Sequence, residues 1–185
     1  MFFVRLLFVN DQGLIFWLNG YNLIMKKRFN KLPNNPPPPW QYVTTVKTGN
    51  LLFVSGHGPK LVGFDDFDTA NLPISKNKTW ITGRLGEGIT VEQAKVAAET
   101  VIANMVSTIQ NDIKDFNKIE KFVRLLIFIN ATENFTDHYE VANSASEVLI
   151  DYFGEKGKCA MTVAGMDSVF SNIPVEIELI LELKN

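Results

Sequence analysis

The residues that could do chemistry fall in two places. The first is Ser55-Gly56-His57, at the end of the apolar run Leu51 to Val54. Glycine has no Cβ, so a strand ending in Ser-Gly lets another group come close to the backbone. The same pair also ends strands that bind nothing, and the residues alone leave both readings open. His57 could titrate near pH 7; a purely hydrogen-bonding role is the alternative. The second place is Val175 to Leu183. Val175, Ile177, Leu179, Leu181 and Leu183 alternate with Glu176, Glu178, Ile180 and Glu182, which predicts a strand with one apolar face. Clustered carboxylates raise one another's pKa, and a glutamate raised towards neutrality is a better general base. The competing reading is a polar edge or an oligomer-interface face.

Other reactive types are sparse. His57 and His138 are far apart and lack a third partner, so no metal site is expected. Cys159 is the single cysteine; it excludes an internal disulfide and fits a reducing, cytoplasmic compartment. A buried free thiol is its plain reading. Gly83, Gly86 and Gly88 form no phosphate-binding or dinucleotide pattern and read as turns, and no cofactor is expected. With 185 residues, 46% hydrophobic and 21% charged, the chain has the composition of one globular domain. A net charge of −2 disfavours a nucleic-acid partner. Three Asn-x-Ser/Thr triplets, at Asn77, Asn130 and Asn134, would matter only in a secreted protein and read better as chance in an Asn-rich chain.

The elements that must position these groups follow from periodicity. Met1 to Val9 and Leu14 to Leu18 are apolar, but Asn10-Asp11-Gln12-Gly13 interrupts them. A span of about 20 apolar residues is therefore not reached. Residues 1–30 are expected to be an extension outside the fold, with Met25 a second, more ordinary beginning; a membrane-associating segment is the alternative, although no membrane partner is expected. Residues 31–185 form the domain. Pro36 to Pro39 is an extended lead-in. Trp40 to Val46 reads as a strand that turns at Gly49-Asn50 into the run Leu51 to Ser55. Leu61 to Thr79 is a long loop, with Trp80-Ile81-Thr82 returning to the sheet edge. Thr90 and Gln93 have capping-box spacing, and Val91, Ala94, Ala98, Val101, Ile102, Met105 and Ile109 share one helix face. Ile119 to Ile129 is a strand apolar on both faces, His138 to Tyr152 a helix stopping at Gly154, and Lys158 to Ala164 a strand. Two helices can cover only one face of such a sheet. The other face is then expected to pack against further copies of the chain.

With these pieces in order, the sequence resembles the YjgF-like, or Rid (reactive intermediate deaminase), family, also known as endoribonuclease L-PSP. The likeness runs from about Leu32 to Leu183. It rests on Tyr42, on Gly49-Asn50-Leu51-Leu52-Phe53-Val54-Ser55-Gly56, and on Ile173-Pro174-Val175-Glu176-Ile177-Glu178-Leu179-Ile180. Phe135, Asn143 and the strand Val123 to Ile129 agree with it. Val141 to Glu147, followed by Phe153-Gly154-Glu155, resembles a less characterised branch. The resemblance implies a chorismate-mutase-like α+β fold of order β-β-α-β-α-β-β, a mixed sheet with two helices on one face, and a homotrimer with ligand clefts between subunits. It implies hydrolysis of a 2-imino acid to a keto acid and ammonia. Glu176 would position water, Tyr42, Ser55 and Gly56 would line the cleft, and Asn143 would join them. Counting back from Glu176, the substrate-clamping arginine is replaced by Met161, which cannot make a bidentate contact to a carboxylate. Of the four arginines, Arg5, Arg28, Arg84 and Arg124, Arg84 on its glycine-flanked segment is the candidate substitute, with a structural or solvent-facing role the favoured alternative, and Arg124 reads as a sheet-face charge paired with a glutamate. The expected function is small-molecule binding with altered imine or enamine hydrolysis. Binding or regulation without catalysis is the alternative, and a ribonuclease is the third reading.

Overall fold

The computed structural model describes residues 6–9, 15–18, 32–33, 41–64 and 67–185. The proline run, Trp40 and the Met25 region lie outside the described residues. The chain divides into two compact units, Met1–Lys31 and Leu32–Asn185. Within the first, β1 (Leu6–Val9) pairs antiparallel with β2 (Ile15–Leu18).

The second unit is built on a five-stranded mixed sheet. Its strands are β3 (Thr45–Thr48), β4 (Leu51–His57), β7 (Ile119–Asn130), β8 (Ala160–Met166) and β9 (Val175–Leu183). The order across the sheet is β3-β4-β9-β7-β8. Only β7 and β8 run parallel; the other pairs are antiparallel. A two-residue ladder, β5 (Arg84–Leu85) with β6 (Gly88–Ile89), sits in the loop before the first helix. The helices are α1 (Val91–Ile113) and α2 (His138–Phe153). This is the expected chorismate-mutase-like α+β architecture.

The capping box forms as the spacing predicts. The Gln93 backbone N–H donates to Thr90 Oγ1 at 3.2 Å, and the Thr90 N–H donates to Gln93 Oε1 at 3.0 Å. The helices bury one face of the sheet. Leu52, Val54, Leu125, Ile127, Ile129, Val175, Ile177, Leu179 and Leu181 are all nearly inaccessible on that side. The other face carries Val46, Phe53, Leu126, Phe128, Ile180 and the glutamates, and its large apolar side chains stay partly open to solvent.

Three local expectations need correction. The first strand of the hairpin starts at Thr45, and Tyr42 lies in a bend ahead of it. Trp80 and Ile81 do not join the sheet edge: they bridge Lys60 and Ile74, so the long loop closes on itself and buries Ile81. Helix α1 is buried all round from Ala97 to Ile109 rather than along one stripe. The cause is a polar seam on its outer side. Asn104 Nδ2 donates to the Lys60 carbonyl at 3.0 Å, and Ser107 Oγ donates to the Pro33 carbonyl at 2.5 Å. Loop and lead-in therefore wrap the helix that the sheet leaves uncovered.

Candidate functional site

The end of β4 is built around a bulge. Val54 is in register with Leu179 and His57 with Ile177, so three steps on β4 match two on β9. The extra residue lies at Ser55-Gly56 and resets the alternation. His57 consequently turns to the helix side, where it is buried. Its Nδ1 lies 2.7 Å from the Ser55 carbonyl and its Nε2 2.9 Å from Thr108 Oγ1. A carbonyl can only accept, so Nδ1 carries the proton. Burial, with the nearby Lys60 charge as a lesser cause, lowers the His57 pKa below the usual 6.5. The ring is therefore neutral at pH 7, and Nε2 accepts from the Thr108 hydroxyl. His57 is a tie between the bulge and α1, in keeping with the hydrogen-bonding alternative.

That tie has a pH signature. A histidine with a depressed folded pKa contributes stability that is present above pH 6.5 and lost as pH falls through the folded value. Urea unfolding of the wild type should show a loss of stability between pH 7 and pH 5. In His57→Phe that acid-side slope should be missing. The variant should also be less stable at pH 7 by about 1–3 kcal/mol, the cost of a buried polar group left unpaired.

On the open face, Glu176 is in register with Phe128, Ile180 with Phe53 on one side and Arg124 on the other. The Glu176 carboxylate sits over Gly56: a Cβ built on Gly56 would collide with Glu176 Oε1. Gly56 is thus required for close approach, as its position at the strand end suggested. Glu176 is half-buried, and no hydrogen bond or ion pair from another described residue reaches its carboxylate. Burial, and then the Glu178 charge, push its pKa above the usual 4.5. Gly56→Ala should leave the fold intact, because the colliding atom ends a flexible side chain. It should displace the carboxylate and lower any Glu176-dependent turnover by about 10–100-fold; kcat and far-ultraviolet circular dichroism of the purified variant check this.

Along the hairpin a groove of about 320 Å³ is lined by Val43, Thr44, Phe53, Ser55, Glu178 and Ile180, among others. Ser55 Oγ donates to the Thr44 carbonyl at 3.2 Å, and the Ser55 backbone N–H donates to the same carbonyl at 3.0 Å. Tyr42 adjoins Val43 and is 51% exposed. Ser55, Gly56 and Glu176 are therefore brought to one place, with Tyr42 at the margin.

Three expected residues are not brought there within the chain. Met161 is in register with Leu125 and shares its helix-side face, two strands from β9 and on the side opposite Glu176. Counting along a loop does not fix which face a strand residue takes, and here it lands on the other one. Asn143 is exposed on α2, a helix packed on the covered face. Arg84 is held by acids: its guanidinium pairs with Asp167 at 2.5 Å and with Glu87 at 3.7 Å. Arg84 Nε is buried without an acceptor among the described residues. Arg124 is exposed on the same face as Glu176, but the pairing with a glutamate expected for it does not form among the described residues. Glu176 and Ile180, Arg124's register partner, are four positions apart on the strand, a span of about 13 Å.

The remaining reactive groups are accounted for. Burial raises the Cys159 thiol pKa, which works against a nucleophilic role. His138 opens α2 as expected but is half-buried, with its ring against Gly165 and Phe135. Among the described residues no three His, Cys, Asp or Glu side chains converge as metal ligands. No helix among them is long and apolar enough to cross a membrane. One residue passed over in the sequence is Asn130. It ends β7 on the Glu176 side and is only 1% exposed.

Comparison with known proteins agrees with this architecture. No protein-family model matches the chain. It is 31% identical over 156 residues to protein TCP17 of Trypanosoma cruzi, covering 84% of this chain and 89% of that one. Among solved structures, a proposed endoribonuclease of Shewanella oneidensis superposes with a TM-score of 0.73 at 21% identity, covering 88% of this chain and 97% of that one. A proposed endoribonuclease L-PSP of Entamoeba histolytica superposes with a TM-score of 0.51 at 16% identity, covering 83% and 96%. The chain has the fold of these endoribonuclease L-PSP (YjgF/Rid-like) proteins. Its Rid-type sheet presents Glu176 at the start of the last strand, over the Ser55-Gly56 bulge of the second core strand.

Proposed function

We propose that this chain is a Rid-family member that hydrolyses a small imine or enamine, in clefts completed by sister copies of a cytoplasmic homotrimer. The observation that carries the reading is the Glu176 carboxylate, seated over Gly56 with its pKa raised by burial and by Glu178. A base of raised pKa takes a proton from water more readily near neutrality. With the imine nitrogen protonated, the water oxygen bonds to the imine carbon as one water proton passes to Glu176, giving a neutral carbinolamine. Protonated Glu176 then returns that proton to nitrogen, and as the C–N bond breaks the hydroxyl proton passes back to Glu176, so a carbonyl compound and ammonia leave.

The half-covered sheet supports the homotrimer. Val46, Phe53 and Ile180 form a continuous row across the open face, with Val46 53% and Phe53 40% exposed. Burying a Phe or Ile side chain fully contributes about 1.5–3 kcal/mol. A second reading, ligand binding without turnover, is favoured by the engagement of Arg84 with Asp167.

The test is ammonia or keto-acid release from freshly generated 2-imino acids. Acceleration by the purified protein is expected. No acceleration with any imine or enamine would leave the binding reading in place. RNA cleavage that disappears in Glu176→Ala would instead favour a ribonuclease.

A further inference from the structure

Gly58, the residue just past β4, is a second point of close approach. A Cβ built on it would come within 2.7 Å of Ile173 Cδ1, 3.1 Å of Trp80 Cζ3 and 3.4 Å of Phe170 Cζ. Trp80 and Phe170 meet edge to face, with ring centroids 5.5 Å apart and ring planes at 90°. Gly58 and Ile173 are buried, whereas Trp80 is half-buried and Phe170 is 48% exposed. The two rings therefore form an open aromatic wall on a buried floor.

Parity places this wall beside Glu176. His57 points towards α1, where its ring meets Thr108. Gly56 before it and Gly58 after it therefore point to the other side of the sheet. There Gly56 meets the Glu176 carboxylate and Gly58 meets the two rings. About 7 Å of strand separates the two glycines. Trp80 obeys the same alternation. Its neighbour Ile81 is fully buried, and Trp80 bridges Lys60, two residues past Gly58. Along the other strand, Ile173 stands only three residues before Glu176.

The turn that carries Phe170 is firmly held. Ser171 and Asn172 follow it with φ of +52° and +55°, a left-handed region that residues other than glycine seldom adopt. Asn172 is fastened at two points. Its carbonyl accepts the Gly83 N–H at 2.8 Å, and its Oδ1 accepts from Asn130 Nδ2 at 3.0 Å. Strain of this kind persists where the surroundings over-determine it, and it collects at ligand-binding sites.

We propose that Trp80 and Phe170 are the specificity wall of the Glu176 cleft, and that the imine or enamine received there carries a flat aromatic group. The substrate ring docks edge to face or offset against the two side chains, while its C=N carbon stays within reach of Glu176. A methyl group in place of the ring reaches neither. This inference rests on the reading of Glu176 as the base of imine hydrolysis.

The test compares two freshly generated imines that differ only in the ring, 2-imino-3-phenylpropanoate and 2-iminopropanoate. The wild type should prefer the phenyl compound in kcat/KM by at least about tenfold, the worth of one good aromatic contact. In Phe170→Ala and in Trp80→Leu that preference should collapse to within about threefold, through KM for the phenyl compound. Hydrolysis without a phenyl preference, or a preference that survives in both variants, would overturn the proposal and leave the proposed function standing. Phe170 is half exposed, so its variant carries the test if Trp80→Leu fails to fold. Binding gives a readout independent of turnover. In a Trp17→Phe, Trp40→Phe background Trp80 is the sole tryptophan. Phenylacetamide should quench its emission saturably, acetamide should not, and Phe170→Ala should weaken the phenylacetamide response about tenfold. That result upholds the aromatic site even where no imine is hydrolysed and the proposed function has fallen. No quenching by phenylacetamide, or equal quenching by acetamide, overturns it.

Discussion

Glu176→Gln is expected to lower imine hydrolysis by about 10²–10⁴-fold, the usual contribution of a positioned general base. The amide keeps the shape of the side chain over Gly56 and removes only its capacity to take a proton. Stability should move the other way. A carboxyl whose folded pKa lies above 4.5 binds a proton on folding, so its contribution is greatest below pH 4.5 and is lost as pH rises through the folded value. At pH 7 the native protein therefore holds a half-buried charge at a cost that the amide does not incur. Glu176→Gln should unfold at a slightly higher temperature than the wild type at pH 7, and the difference should shrink as pH falls towards 4.5. Loss of turnover with an unchanged or raised melting temperature would separate a catalytic role from a structural one. A variant that is inactive because it is unfolded would show the opposite thermal shift.

Phe53→Asp should have the largest effect on assembly. Phe53 lies between Val46 and Ile180 on the open face. A charge there meets apolar neighbours instead of filling a seam, and three equivalent seams carry it at once in a closed trimer. Losing about 1.5–3 kcal/mol of burial per seam, with the added cost of desolvating a carboxylate, weakens association by at least about a hundredfold per contact. The chain itself should still fold, because Phe53 is on the solvent side of a strand whose core residues, Leu52 and Val54, are untouched. Sedimentation velocity at micromolar concentration should show mostly single chains, and imine turnover should fall with the trimer.

The parts of this molecule legible in sequence are those set by local rules. The alternation from Val175 to Leu183 survives intact in β9, because both its faces have distinct environments. Thr90 and Gln93 cap α1 because the interaction spans only four residues. The Ser55-Gly56 pair marked a close approach, and Glu176 is the group that approaches. What was not legible depends on distant partners or on parity. Met161 was assigned by counting, and the register with Leu125 puts it on the covered face. Arg84 looked free on a glycine-flanked segment, but Asp167, 83 residues away, engages it. Asn130 looked like part of a chance glycosylation triplet. Its amide becomes meaningful only when Asn172, 42 residues later, arrives beside it. The all-round burial of α1 required Pro33 and the Lys60 loop to close over polar positions that a helical wheel assigns to solvent.

The claim on which the site depends is that sister copies cover the open sheet face. Mass in solution, by light scattering across a dilution series, tests it directly. A particle of three times the 20.9 kDa chain is expected, persisting to low micromolar concentration. A stable particle of 20.9 kDa at every concentration would contradict it.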